Sequence, residues 1–123
     1  MMAKILIVED DADLVETYTD LLEMSNHSVT SVSRAIDAFG LVTRFKPNIV
    51  LLDLNLAGYS GAIVISMIRS YPVLKQTKIV VITGHPEMLQ GSPNASHVDL
   101  ILSKPISNEK LLSVVDEFVT SAS

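Results

Sequence analysis

Glu9, Asp10, Asp53, Thr83 and Lys104 stand one or two residues past the ends of aliphatic runs: Ile5 to Val8, Ile49 to Leu52, Ile79 to Ile82 and Leu100 to Leu102. If those runs are neighbouring strands, three carboxylates, a hydroxyl and an ammonium empty onto one rim. Two carboxylates ~4 Å apart repel by about 4 kcal/mol at an effective dielectric near 20. Three would raise one another's pKa unless a cation sat among them. An oxygen-only donor set, with no Cys or His in it, suits Mg²⁺, which takes few protein ligands and keeps its waters. A carboxylate nucleophile, a divalent ion, an ammonium and a hydroxyl are together the parts needed to take up a phosphoryl group, because metal and donors neutralise the charge spreading over its oxygens. Asp53 is the residue to explain. Its strand is apolar without alternation, as in a parallel sheet covered on both faces, and a carboxylate ending it is costly without a partner. In open α/β sheets the carboxyl ends of the strands are where ligands bind.

The elements that must position these groups follow from patterning. With 123 residues and 48% hydrophobic content, one domain over residues 1–123 with a real core is expected. A net charge of −5 without a basic run makes nucleic acid an unsuitable direct partner. No cysteine is present, so thiolate chemistry and disulfides are excluded. The apolar run before Glu9 is too short for a signal peptide or a membrane span, and a cytoplasmic protein is expected. On that expectation Asn26-His27-Ser28 and Asn94-Ala95-Ser96 are chance glycosylation triplets.

Leu14, Tyr18, Leu21 and Leu22 recur at helical spacing and predict a helix over 12–24, capped by Asp11 or Asp13 and ended by Asn26 in the left-handed region. His27 to Val32 reads as a short edge strand. Ser33 is expected to cap a second helix with Ala35, Phe39 and Val42 inward, stopped by Phe45-Lys46-Pro47. Ser60 is expected to cap a third, running through Arg69 and closed by Tyr71-Pro72. Lys78 to Thr83 is a fourth strand. Pro86 suits a first helical turn, but Gly91-Ser92-Pro93-Asn94 interrupts at once, so this region should be a very short helix or mostly loop. After a fifth strand over 100–102, Ser107 caps a last helix with Leu111, Leu112, Val115, Phe118 and Val119 inward. Five β-α repeats in succession imply a doubly wound (βα)5 α/β sandwich around a parallel sheet.

Val8-Glu9-Asp10, Leu51-Leu52-Asp53, Ile82-Thr83-Gly84 and Ser103-Lys104-Pro105 resemble, in order and spacing over essentially the whole chain, the four signatures of the receiver domain of two-component response regulators. The resemblance implies a flavodoxin-like fold with strand order 2-1-3-4-5. It implies that Asp53 is the phosphoacceptor, charged from a phosphohistidine on a sensor histidine kinase or phosphotransfer protein. Glu9, Asp10, Asp53 and the backbone carbonyl of Asn55 would hold Mg²⁺. Thr83 and Lys104 would contact the phosphoryl oxygens, and the Lys104-Pro105 bond would be cis. Asn55 and His85, two residues past Asp53 and Thr83, occupy positions that tune phosphoryl lifetime in the family. Such a domain catalyses its own phosphorylation and dephosphorylation without being a conventional enzyme, and signals through a downstream protein partner.

Three positions depart from the pattern. Ala57 replaces the usual Pro after the acceptor, which should loosen that loop slightly. Ile101 replaces the ring that swings inward as Thr83 moves. Gly91-Ser92-Pro93 interrupts the usual fourth helix, so the common output face should be atypical. The third helix, Ala62 to Ile68, is apolar nearly all round. Either neighbouring loops cover it, or Ile63 or Met67 leads an exposed patch that docks a partner or a second copy in a homodimer.

His27, His85 and His97 are too scattered for zinc. The alternative to a switching receiver is a non-switching pseudo-receiver acting as a binding module. An aspartate-nucleophile phosphatase is a weaker one: Asp53-Leu54-Asn55 faintly resembles its D-x-D but carries Asn55 where the acid/base Asp belongs. A flavin-binding protein is disfavoured, since no phosphate-cradling loop follows the first strand.

Overall fold

The computed structural model describes residues 2–56 and 59–121. Five parallel strands, β1 (Lys4–Val8), β2 (Ser28–Val32), β3 (Ile49–Leu52), β4 (Lys78–Thr83) and β5 (Leu100–Ser103), form one sheet in the order β2-β1-β3-β4-β5. Four helices flank it: α1 (Ala12–Met24), α2 (Ala35–Phe45), α3 (Ala62–Ser70) and α4 (Asn108–Ser121). The order 2-1-3-4-5 expected from the resemblance is the one observed. No helix among the described residues is long and apolar enough to cross a membrane.

The strands sort their side chains by parity, as a period of two requires. Leu6, Val8, Val50, Leu52, Ile79 and Val81 pack with the buried residues of α2 and α3. Ile5, Ile7, Ile49, Leu51, Val80 and Ile82 pack on the other face with Tyr18 and Leu22 of α1 and with Leu111, Val114 and Val115 of α4. Each fully buried aliphatic contributes about 1.5–3 kcal/mol of transfer free energy, so the central strands hold the molecule together from both faces.

Helix ends follow local chemistry in part. Asp11 caps α1, its side chain accepting from the N–H groups of Asp13 and Leu14. Asn26 at φ 70° closes α1, and the His27 and Asn26 N–H groups return to the carbonyls of Leu22 and Glu23, the Schellman arrangement. Ser107 Oγ accepts from Lys110 N at the start of α4. Two expected caps are corrected. Arg34, not Ser33, holds the N-cap position of α2, with no side-chain cap; its guanidinium pairs instead with Asp37 at 2.9 and 3.1 Å. Gly61, not Ser60, precedes α3, because Ser60 is drawn into a two-stranded hairpin, pairing with Asn55. That hairpin, Asn55–Leu56 with Tyr59–Ser60, was not expected either. Between β4 and β5 the predicted interruption is real: two 3-10 turns, Pro86–Met88 and Pro93–His97, stand where a full helix would fit.

Candidate functional site

The ladder of the sheet continues one residue past its strands and carries the site with it. Glu9 N–H donates to Val32 O at 3.1 Å, Asp53 N–H to Val8 O at 3.0 Å and Lys104 N–H to Thr83 O at 2.8 Å. Each chemical residue is thus fixed by the neighbouring strand's last carbonyl. Parity then decides the face. Glu9 continues Ile5 and Ile7, Asp53 continues Ile49 and Leu51, and Lys104 continues Leu100 and Leu102, all on the side covered by α1 and α4. Thr83 continues Ile79 and Val81 on the opposite side.

Glu9, Asp10 and Asp53 each offer a carboxylate oxygen, and these oxygens lie within 4.8 Å of one another. Glu9 is 4% exposed and Asp53 6%, whereas Asp10 is open to solvent. Lys104 Nζ joins the buried pair, 2.6 Å from Glu9 Oε1 and 3.4 Å from Asp53 Oδ2. Glu9 Oε2 accepts the N–H groups of Asp10 and Asp11 at 3.0 and 3.1 Å. Asp53 Oδ1 accepts Asn55 N–H at 3.2 Å. Every buried oxygen of the pair is therefore held, as burial of charge demands.

Burial raises the Glu9 pKa and the Asp53 charge adds to that; the hydrogen bonds from Lys104 and the Asp11 backbone, with the Lys104 charge, pull the other way and do not cancel it. Burial works against the Lys104 ammonium. The Glu9 hydrogen bond, the charges of Glu9 and Asp53 and the Asp53 hydrogen bond outweigh it, and the lysine pKa lies above its ordinary value. Two buried carboxylates share the Lys104 ammonium with a third carboxylate, Asp10, close by, an acidic oxygen cluster of the kind a divalent cation suits.

Thr83 is fully buried, and its Oγ1 accepts His85 N–H at 3.1 Å, an arrangement that reserves the hydroxyl hydrogen for donation. The His85 ring is at the surface with Nδ1 3.3 Å from Glu87 Oε1. Asn55 is exposed beside Asp53. Lys104-Pro105 is cis. Ile101 is half-buried against the α2-α3 layer. Ala57 lies outside the described residues. On α3, Val64, Ile65 and Ile68 are buried and Met67 packs partly against the core, while Ile63 is 50% exposed.

Two residues at the site were not singled out by sequence reasoning. A Cβ on Gly61 would collide with the Asp53 carbonyl oxygen and stand 2.9 Å from Leu54 Cα. Gly61 N–H also donates to Leu54 O at 2.7 Å. Only a residue without a side chain lets α3 start against the backbone of Asp53, and no local signal announces so distant a contact. Tyr18, read only as an inward helix position, lines a small void with Glu9 and Asp53. Combining its inward phase with the parity of Glu9 and Asp53 would have placed it on their side.

The family model for the response regulator receiver domain matches residues 5–116. The polar-differentiation response regulator DivK of Brucella anthropi is 24% identical over 128 residues, spanning 99% of this chain and all of that protein. The response regulator protein FleR of Pseudomonas aeruginosa is 32% identical over 120 residues, spanning 94% of this chain but 24% of that much longer protein. The solved CheY-like receiver domain from Methylobacillus flagellatus superposes with a TM-score of 0.84 at 30% identity, over 96% of this chain and 99% of that one.

Proposed function

This chain belongs to the response regulator receiver domain family, and on that premise we propose that it is a phosphorylation-controlled signalling domain, with Asp53 taking a phosphoryl group from the phosphohistidine of a sensor histidine kinase or phosphotransfer protein. The single observation that carries this reading is the convergence of Glu9, Asp10 and Asp53 with Lys104 Nζ on one rim. An Asp53 carboxylate oxygen forms the new bond to phosphorus as the phosphorus–nitrogen bond of the donor breaks and the imidazole leaves. Lys104 and the Thr83 hydroxyl meet the charge on the phosphoryl oxygens.

The donor set fits Mg²⁺. Oxygens on opposite sides of one Mg²⁺ stand about 4 Å apart, and those of Glu9, Asp10 and Asp53 are spread over no more than 4.8 Å. The Asn55 backbone carbonyl would complete the protein ligands. The ion supplies positive charge against the acceptor and the phosphoryl oxygens. Asn55 and His85 flank the group and set how fast water removes it. We further read residues 1–123 as one receiver acting in the cytoplasm, its output a changed surface recognised by another protein.

Intact-mass measurement after acetyl phosphate and Mg²⁺ tests the reading. One added phosphoryl group, lost in Asp53→Ala, is expected; an unchanged mass of the unaltered chain overturns it. A second reading, the pseudo-receiver that binds without switching, draws on Ile101 and the two 3-10 turns between β4 and β5. It predicts phosphorylation with no change in conformation or partner binding.

A further inference from the structure

Tyr18 carries a hydroxyl yet is 4% exposed, and it sits where two spaces meet. On one side is a void of about 10 Å³ lined also by Glu9, Asp53, Leu52 and Ile82, near the lower limit for a single water molecule. On the other is a groove of about 360 Å³ bordered by Asp11, Leu14, Lys104, Pro105 and Ile106. Tyr18 is a wall common to the void beside Glu9 and Asp53 and to the groove that Lys104 borders. The helix fixes it there: α1 is capped at Asp11 and closed at Asn26, and Leu22, one turn on, is fully buried beside it in the same layer.

Lys104 has a specific difficulty that this wall bears on. Its ammonium is 2.6 Å from Glu9, its shorter contact, and 3.4 Å from Asp53. To serve a phosphoryl group on Asp53 it must loosen from Glu9 and advance, and a four-carbon side chain has many other places to go. Excluding those places is what a rigid ring can do at small entropic cost. We propose that Tyr18 is a positioning residue of the phosphoacceptor site, its ring and hydroxyl together restricting Lys104 to the path between Glu9 and the phosphoryl group. Burial raises the phenol pKa, the Lys104 charge opposes this, and the charges of Glu9, Asp53 and Asp11 add to the rise.

This inference rests on the reading of Asp53 as phosphoacceptor, and the test separates the two. The full chain is labelled at its three tyrosines with ring ¹³C, each resonance is assigned by Tyr→Phe replacement, and spectra are taken with Mg²⁺ before and after acetyl phosphate. Intact mass is read on the same samples. With one phosphoryl group added, the Tyr18 resonance is expected to move while the surface residue Tyr71 does not. Tyr18→Phe, which keeps the ring, is expected to slow phosphoryl uptake at least threefold with unchanged Mg²⁺ affinity and melting temperature. Tyr18→Leu, which removes the wall, is expected to slow it more. A phosphorylated protein in which Tyr18 does not move and Tyr18→Phe takes up phosphoryl at the unaltered rate overturns the inference alone. Absence of the added mass overturns the reading beneath it.

Discussion

The two ends of this sheet use polar residues in opposite ways. At the carboxyl ends of the strands, Glu9 and Asp53 share the Lys104 ammonium, and Asp10 stands beside them with a carboxylate oxygen within 4.8 Å of theirs. At the amino ends, polar side chains are spent on backbone atoms. His27 Nδ1 accepts Ala3 N–H at 3.0 Å, Asn48 Oδ1 accepts Lys4 N–H at 2.7 Å and Thr77 Oγ1 donates to Pro47 O at 2.8 Å. Arg69 is the hub, donating to His97 O, Thr77 O and Asp99 Oδ2, while Asp99 Oδ2 also accepts Ile79 N–H. One end ties its polar side chains to backbone; the other gathers carboxylates into a cluster. Side chains tied to backbone favour stability, whereas clustered ionisable groups mark a candidate site.

The sharpest way to break this contrast is a crossed pair of substitutions. Asp53→Asn should abolish phosphoryl uptake completely, read by intact mass, while melting at or slightly above the parent temperature, because it removes a charge from a repelling cluster. Arg69→Met should do the reverse. Hydrogen bonds from a charged donor are worth about 1.5–3 kcal/mol each, discounted here because the pair with Asp99 is partly exposed; a loss of about 2–4 kcal/mol in urea unfolding is expected. Uptake rate should be unchanged wherever the protein is folded. If Arg69→Met slows uptake in proportion to its destabilisation, the two ends are not independent.

The same contrast explains what could be read without coordinates. The carboxyl end was legible because Glu9, Asp53, Thr83 and Lys104 stand one or two places past aliphatic runs, so parallel pairing alone brings them to one rim. Asn26 and the break at Gly91-Ser92-Pro93 were legible because left-handed and helix-ending positions are local matters. The stabilising end was not. Arg69 reaches residues 8 to 30 positions away, and nothing in its neighbours hints at that. The expected caps Ser33 and Ser60 fail on comparably non-local or competing grounds: Arg34 takes the N-cap position of α2, and a hairpin with Asn55 claims Ser60. Tyr18 was visible as an inward residue, but its height along the helix relative to the rim was not.

Gly61 tests whether the candidate site depends on backbone fit as well as charge. A methyl group there meets the Asp53 carbonyl, which is backbone and cannot swing aside. Overpacking of this kind costs about 1–3 kcal/mol. Gly61→Ala is expected to destabilise within that range and, unlike Arg69→Met, to slow phosphoryl uptake as well, since relief requires Asp53 or Leu54 to move. An unchanged uptake rate in folded Gly61→Ala would mean that the acceptor tolerates displacement and that the tight approach serves packing alone.

The last effect concerns His27 and gives the amino end of the sheet a pH sensitivity of its own. Burial lowers its pKa; the Asp116 charge opposes this and the amino-terminal charge adds to it, leaving the folded value below the ordinary 6.5. Geometry agrees, because a protonated Nδ1 could no longer accept Ala3 N–H. Above pH 6.5 the ring is neutral folded and unfolded, and its contribution is fully present. As pH falls below 6.5 the unfolded chain takes the proton first, so stability declines until the folded pKa is reached and then levels off. Urea midpoints should therefore drop between pH 7.5 and 5.5. His27→Leu should lower stability by about 1–3 kcal/mol at pH 7.5, leaving a buried N–H without its acceptor, and should flatten that decline. A decline of the same size in His27→Leu would move the pH dependence away from this histidine and toward the acidic rim.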